Sequence, residues 1–219
     1  MVIGILGTGA MASALAEAWT RAEHTVLVGG RSSERARAVA ERIGGAIEAV
    51  PSSAVVERGE VVVVAVAWEG IDSILALAGG SDGAFEDKTV IDCTNAVDYA
   101  SGKLKPRSGS AAQHVAEVAR GAHVVKALHL FAGTSWLSSP ASQPERTVAM
   151  CGDDREALEA ASGLIRDLGG VPAVIGGLDH ARQLEDVAGF VMQLVAAGRN
   201  SVTAVPYVEA RPGSSTTSV

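Results

Sequence analysis

Cysteine, aromatic residues and positive charge are all scarce in this sequence of 219 residues. Only 4% of the residues are aromatic, and the formal net charge is −7 at pH 7. Because nucleic-acid binding relies on clustered Lys and Arg to neutralise phosphates, the acidic balance argues against a general nucleic-acid partner. No apolar run approaches the roughly 18 residues of a membrane span, so we expect no membrane partner.

The two cysteines, Cys93 and Cys151, lie far apart without a CxxC pairing or a nearby His cluster. Both fall in apolar runs typical of strands, so we expect buried free thiols and no bound metal. The first residues, "MVIGILGTGAMAS", lack the basic region of a secretory signal. These features together predict a cytoplasmic protein.

Hydrophobic residues, by contrast, make up 47% of the sequence, and the mean hydropathy is +0.24. Apolar runs typical of strands alternate with helical patterns throughout, which predicts an α/β fold of Rossmann type with a doubly wound, mostly parallel sheet. We divide the chain into a nucleotide-binding domain (1–140), a small carboxyl-terminal strand and helix extension that continues the sheet (141–205), and a disordered tail (206–219).

A glycine-rich turn follows the first predicted strand and opens the first helix. Its residues match G-x-G-x-x-G/A and are Gly7, Thr8, Gly9, Ala10, Met11 and Ala12. The first glycine of this motif permits a tight turn, the second lets the backbone approach a pyrophosphate, and the helix amino terminus faces the phosphates. In this strand-to-helix context the motif predicts a dinucleotide site.

The second strand ends in Gly30, Arg31 and Ser32, where an acidic residue would bind the ribose hydroxyls of NAD. Arg31 can form paired hydrogen bonds with a 2′-phosphate, and Ser32 can donate one more. We therefore expect NADP(H). The alternative is that Arg31 only begins a solvated basic helix face with Arg35 and Arg37.

Two further strand ends should line the same crevice, since ligands bind outside the carboxyl ends of parallel strands. The backbone of Ala65, Val66 and Ala67 is expected beside the nicotinamide ribose. Trp68 would either wall the pocket or cover an apolar edge. Asn95 would bond a ribose or carboxamide, unless it only forms a turn.

The stretch after the predicted strand Val124–Leu128 supplies the candidate substrate contacts. His129 could hydrogen-bond a substrate carbonyl or donate a proton, and it could equally be a structural histidine. Phe131 and Trp136, together with Trp68, complete the predicted substrate-binding set.

The linked motifs resemble those of the NADPH-dependent reductases of the 8-hydroxy-5-deazaflavin coenzyme F-420 (F420). The resemblance covers about residues 1–200. It rests on "IGILGTGAMASALAEAW", "VGGRS", "VVVVAVAW", "IDCTNA", "VVKALH" and "GGLDHARQLE" in this order.

This resemblance implies nucleotide contacts at Thr8, Arg31, Ala65–Ala67 and Asn95, with Gly30 where relatives often have serine. It also implies direct hydride transfer between nicotinamide and deazaflavin, so that protein groups chiefly align two rings. The segment after His129 departs from the family. The anionic tail of the coenzyme would need basic neighbours, for which Lys103, Lys105 and Arg107 are candidates unless their loop is only solvated.

Three functions remain open from the sequence. The first is hydride exchange between NADP(H) and F420, and the second is NADPH-dependent reduction of another small acceptor, such as an imine, a ketone or a flavin-like ring. The third is a non-catalytic NADP(H)-binding sensor. The last predicted helix carries an apolar face that packs inward or serves a homodimer. That face comprises Leu184, Val187, Ala188, Val191, Leu194 and Val195.

Overall fold

The computed structural model describes residues 1–137 and 145–204. The strands in these ranges are β1 Val2–Leu6, β2 Thr25–Gly29, β3 Ile47–Ala49, β4 Val61–Val64, β5 Thr89–Asp92, β6 His123–Lys126, β7 Arg146–Gly152 and β8 Gly170–Val174. The α-helices are α1 Ala10–Arg21, α2 Ser33–Ile43, α3 Ser52–Arg58, α4 Ile71–Leu77, α5 Ala111–Val118, α6 Arg155–Asp167 and α7 Ala181–Ala196. Helix α3 was not predicted from the sequence.

All eight strands form one sheet in the order β3-β2-β1-β4-β5-β6-β7-β8. The first six are parallel to their neighbours, whereas β7 runs antiparallel to β6 and β8 runs parallel to β7. The chain reverses its direction of winding between β1 and β4, which places a ligand crevice at the carboxyl ends of these strands. The predicted Rossmann-type fold is confirmed.

Helices cover both faces of the sheet, and this explains the run of four valines in β4. Every residue of Val61–Val64 is buried, as expected for a central strand covered on both sides. Val61 and Val63 face the core that contains Trp19, and Val62 and Val64 face the core that contains Phe85. The Trp19 indole donates a hydrogen bond to Leu164 O at 3.1 Å, so α1 is tied to the later α6.

Cys93 and Cys151 are both buried and unbridged, which confirms the prediction of two free thiols. Burial raises the pKa of the Cys151 thiol to about 12, so this residue is protonated at neutral pH.

The predicted boundary at residues 140 and 141 and the predicted tail at 206–219 lie outside the described residues, so the domain division stays a prediction. Strands β7 and β8 do continue the sheet of the first domain. Within residues 1–137 and 145–204, no helix combines the length and apolarity that crossing a bilayer would take.

Candidate functional site

The glycine-rich turn has the geometry that a dinucleotide needs. Gly7 adopts φ +143°, and a Cβ there would collide with the carbonyl of Ala65 on the neighbouring strand end. At Gly9 a Cβ would meet nothing within 4 Å, so the backbone is open to a ligand. Helix α1 follows directly, and no side chain in the described part of the chain caps its amino terminus. Its first amide groups are therefore available to an anion.

A first hollow of about 440 Å³ extends from this turn to the end of β2. It is lined by Gly7, Thr8, Gly9, Gly30, Arg31, Ser32, Arg35, Ala65, Val66, Ala67 and Ile74. None of these described lining residues is acidic, and two are cationic. An environment of this kind suits a phosphate and disfavours a site built around two free ribose hydroxyls.

Arg35 joins Arg31 in this hollow, although the sequence reading assigned it only to a solvated face. Ser32 caps α2 by accepting a hydrogen bond from Arg35 N at 3.2 Å, which leaves the Ser32 hydroxyl proton free to donate. The two guanidinium groups are exposed, and Arg37 does not line the hollow. The four-residue spacing of Arg31 and Arg35 at a helix start was the available signal.

A second hollow of about 590 Å³ lies beside the first and shares its wall at Gly9 and Ala65–Ala67. Ala10, Met11, Cys93 and Asn95 extend that wall along the strand ends. The opposite side is formed by the segment His129–Gly133 and by α7. A single extended ligand can therefore pass from the first hollow into the second.

Asn95 lies on the wall of the second hollow with one amide atom satisfied and one free. Its Nδ2 donates to the carbonyl of His129 at 2.7 Å, whereas Oδ1 is buried without a hydrogen-bond partner among the described residues. A buried unpaired acceptor costs stability unless a ligand donor fills it. The carboxamide or ribose contact predicted for Asn95 is compatible with this geometry.

His129 lines the second hollow, and its ring contacts a backbone carbonyl of α7. Its Nε2 lies 3.0 Å from the Leu184 carbonyl, which can only accept, so Nε2 carries the proton and Nδ1 does not. Burial, with the nearby charge of Lys126, lowers the pKa of His129 to about 3. In this tautomer the ring N–H faces the Leu184 carbonyl, which favours the structural alternative for His129, and the proton-donor role stays a prediction. The ring joins the end of β6 to α7.

The other predicted substrate contacts divide between the hollow and the core. Trp68 and Phe131 line the second hollow, and Trp68 also packs against His114 with ring centroids 5.2 Å apart. Trp136 does not line it, because its side chain is buried in the core against Phe131 and under the Arg146 guanidinium. The packing of Trp136 gives no support to its predicted substrate-binding role, which stays a prediction.

A fully buried charge cluster beneath the second hollow was missed by the sequence reading. Lys126 Nζ lies 2.8 Å from Asp92 Oδ2 and 2.9 Å from Glu185 Oε1, and it also donates to the Thr94 carbonyl. Although burial opposes the charged form, the two carboxylates raise the pKa of Lys126. The carboxylate of Glu185 further accepts the backbone N–H of Ala111 at 2.9 Å.

This cluster fastens α7 to the carboxyl ends of β5 and β6 and to the start of α5. The available signal was a lysine inside an apolar strand, "HVVK", since lysine is almost never fully buried unless it is paired.

Known proteins with sequences similar to this chain include NADP reductases, which agrees with the dinucleotide site described above. Residues 2–96 match the family model described as "NADP oxidoreductase coenzyme F420-dependent". The chain is 30% identical over 209 residues to the F420-dependent NADP reductase of Methanothermobacter thermautotrophicus, covering 88% of this chain and 87% of the relative. The chain belongs to the F420-dependent NADP reductase family.

The chain is also similar to a curated protein with a different name and to a protein of solved structure. The metalloreductase STEAP3 of Rattus norvegicus is 29% identical over 185 residues, and the chain spans only 36% of its length. A candidate F420-dependent NADP reductase from Arthrobacter sp. FB24 superposes with a TM-score of 0.78 at 21% identity, covering 90% of this chain and 95% of that one. The second comparison shows that the family fold extends over nearly the whole chain.

The family resemblance suggested three basic residues as contacts for the anionic tail of F420. They differ in whether they line a hollow. Lys105 lines the second hollow and forms an ion pair with Glu69 at the hollow's rim. Lys103 and Arg107 do not line either hollow. Of the three, Lys105 alone is therefore positioned to contact a ligand there.

Proposed function

We propose that this chain transfers hydride between NADP(H) and the deazaflavin coenzyme F420, with the dinucleotide spanning both hollows. The observation that carries the proposal is the shared wall at Gly9 and Ala65–Ala67, which joins a cationic hollow to a larger apolar one. NADPH supplies the hydride and becomes NADP⁺, while the acceptor ring gains that hydride and takes one proton from solvent. Membership of the reductase family supports the same reaction.

The first hollow is assigned the phosphates of the dinucleotide. The free amide groups at the start of α1 would bind the pyrophosphate, and Arg31, Arg35 and the Ser32 hydroxyl would bind the 2′-phosphate. Each contact is made by a charged or backbone donor, so this region supplies affinity and cofactor choice. It takes no direct part in the chemistry.

The second hollow is assigned the nicotinamide and the acceptor ring. Asn95 Oδ1 would accept a hydrogen bond from the carboxamide, and so fix the face that the nicotinamide presents. The apolar side chains of Met11, Phe131, Val191 and Met192 would hold the acceptor ring parallel to it and exclude water. Alignment of two rings then provides the rate enhancement, and no nucleophile is required.

The test is a direct measurement of hydride exchange. Purified protein with NADPH should bleach the visible absorbance of oxidised F420, and the reverse reaction should restore it. NADH should support much slower exchange at the same concentration. A chain that binds NADPH, as shown by fluorescence titration, but exchanges no hydride with F420 would refute the proposal and favour a sensor.

A second candidate is reduction of another small acceptor, and the apolar lining of the second hollow favours it. Phe131 and Met11 are compatible with a neutral ring, and Lys105, the cation that lines this hollow among residues 1–137 and 145–204, is already paired with Glu69. An imine, a ketone or a flavin-like ring would therefore fit as well as a ring with an anionic tail. NADPH oxidation by such a compound with F420 inert would select this alternative.

The oligomeric state and the compartment are extensions of the same proposal. Val187, Phe190 and Val195 are exposed along α7, whereas Leu184 and Ala188 of the predicted apolar face are buried within the chain. We assign the exposed residues to a homodimer interface. Analytical ultracentrifugation of the wild type and Phe190→Asp should show a dimer and a monomer. A wild-type monomer would refute this interface. The cytoplasmic location stays a prediction.

A further inference from the structure

Helix α7 contains a glycine in its interior, where glycine does not stabilise a helix. Gly189 lies in the middle of Ala181–Ala196, where alanine is more favourable than glycine. The residue is buried, and a Cβ there would collide with the carbonyl oxygen of Gly102. Gly189 is therefore explained by the close approach of another backbone segment and not by the helix.

That segment is a short hairpin, residues 96–105, which we call the strap. Val97 and Leu104 form an antiparallel bridge, and Lys105 N donates to Ala96 O at 2.7 Å. At its turn, Gly102 N donates to Asp98 O at 2.7 Å. Gly102 has φ +70°, and a Cβ there would collide with the side chain of Gln193 one helical turn beyond Gly189. The backbone of Gly102 therefore lies against α7 at Gly189, and the side chain of Gln193 packs over Gly102.

The strap and α7 together form one side of the second hollow. The strap contributes Val97, Tyr99 and Lys105, and α7 contributes Ala188, Val191 and Met192. Asp98 organises the strap internally by accepting hydrogen bonds from the backbone N–H groups of Ala100 and Ser101. Its position relative to α7 is set by the Gly102–Gly189 contact and by Gln193, whose Nε2 lies 3.5 Å from Ala100 O.

We propose that Gly189 is a positioning residue for the acceptor, because it lets the strap pack against α7 and so fixes the side of the second hollow that the strap forms. The proposal rests on the proposed function for the identity of that ring. It assigns no chemical step to Gly189. The dinucleotide contacts at Gly9, Ala65–Ala67 and Asn95 lie outside residues 96–105, and the atoms nearest to a Cβ at Gly189 belong to Gly102 and Val97.

The decisive variant is Gly189→Ala, with Gly163→Ala as its matched control. Gly163 lies inside α6, and a Cβ there would meet nothing within 4 Å, so this control gains helix propensity without touching a neighbour. Both variants add one methyl group to a helix interior. Only Gly189→Ala should lift the strap.

In steady-state assays with F420, we expect Gly189→Ala to raise the KM for the acceptor about tenfold while kcat changes by less than about threefold. The KM for NADPH should not change. Gln193→Ala, which removes only the side chain packed on Gly102, should give a smaller rise in the acceptor KM. Gly163→Ala should match the wild type in both constants. An unchanged acceptor KM in Gly189→Ala would overturn the proposal.

Amide hydrogen exchange provides a readout that does not depend on which acceptor is correct. In Gly189→Ala the amides of residues 97–105 should exchange about tenfold faster, and the amides of β1 and β4 should keep their wild-type protection. Equal exchange of the strap in Gly189→Ala and Gly163→Ala would refute the seating contact. Absence of F420 turnover in the wild type would instead refute the proposed function, and the exchange result would still decide the role of Gly189.

Discussion

The two hollows at the carboxyl edge of the sheet are built by different means. The first consists of a glycine turn, a helix start and the end of β2, all within the first 67 residues apart from Ile74. The second draws on residues from Gly9 to Met192, so it depends on contacts between segments far apart in the chain. The first hollow is therefore formed by one stretch of the chain, and the second is completed by Ala188, Val191 and Met192 of α7.

Their electrostatics differ in the same way. The cations of the first hollow, Arg31 and Arg35, are exposed and available to a ligand. Beneath the second hollow, Lys126 is buried and fully occupied by Asp92, Glu185 and the Thr94 carbonyl. Charged side chains are available to bind a ligand in the first hollow, whereas beneath the second hollow they hold α7 against the sheet. Variants in the two regions should therefore differ in whether they change stability or ligand affinity.

Lys126→Met should destabilise the protein most, because it leaves the carboxylates of Asp92 and Glu185 buried without their cation. Removing one partner from a buried ion pair costs about 3–5 kcal/mol of the free energy of unfolding. Urea unfolding followed by tryptophan fluorescence would measure it. The control is Arg58→Met, which breaks the exposed ion pair with Glu48 and should cost far less. Equal losses in the two variants would show that the cluster has no architectural role.

Arg31→Ala should act on ligand affinity and leave stability almost unchanged. Loss of a charged hydrogen bond to the 2′-phosphate should weaken NADPH binding about 10- to 100-fold while NADH binding stays the same. Fluorescence titration with both cofactors would measure the two dissociation constants. Arg37→Ala is the control, since Arg37 does not line the hollow. If Arg31→Ala weakens the binding of NADPH and NADH equally, Arg31 does not contact the 2′-phosphate.

The local nature of the first hollow explains why the sequence predicted so much of it. The G-x-G-x-x-A turn and the arginine after β2 each signal their role within a few residues. The second hollow offered no comparable local signal. Trp136 was predicted there because it follows His129 closely, yet packing turns it into the core. Glu185 and Gly189 acquire their roles from partners about 60 to 90 residues earlier, which periodicity alone cannot identify.

A third test concerns His129, which lies at the junction of β6 and α7. Its pKa is about 3 in the folded protein and about 6.5 in the unfolded chain, so below pH 6.5 the unfolded state binds one more proton. Stability from the neutral ring is therefore present above pH 6.5 and is lost as the pH falls toward 3. Between these two pKa values, His129 should make the free energy of unfolding change with pH by about 1.4 kcal/mol per pH unit.

His129→Gln should flatten this dependence while keeping a donor for the Leu184 carbonyl. Urea unfolding of both proteins between pH 4 and pH 8 would give the free energy of unfolding of each protein as a function of pH. Parallel curves would show that His129 titrates normally in the folded protein. Parallel curves would also support His129 as a proton donor.

The smallest expected effect comes from the ion pair between Glu69 and Lys105 at the rim of the second hollow. Glu69 is exposed and paired with Lys105, so an acceptor with an anionic tail must compete with Glu69 for that ammonium group. Glu69→Gln should lower the KM for F420 about two- to threefold at low salt, and the gain should disappear at high salt. Glu117→Gln, on an exposed residue outside the hollow, is the control. If Glu69→Gln leaves the KM for F420 unchanged at low salt, Lys105 does not contact the tail, and charge contributes to recognition only in the first hollow.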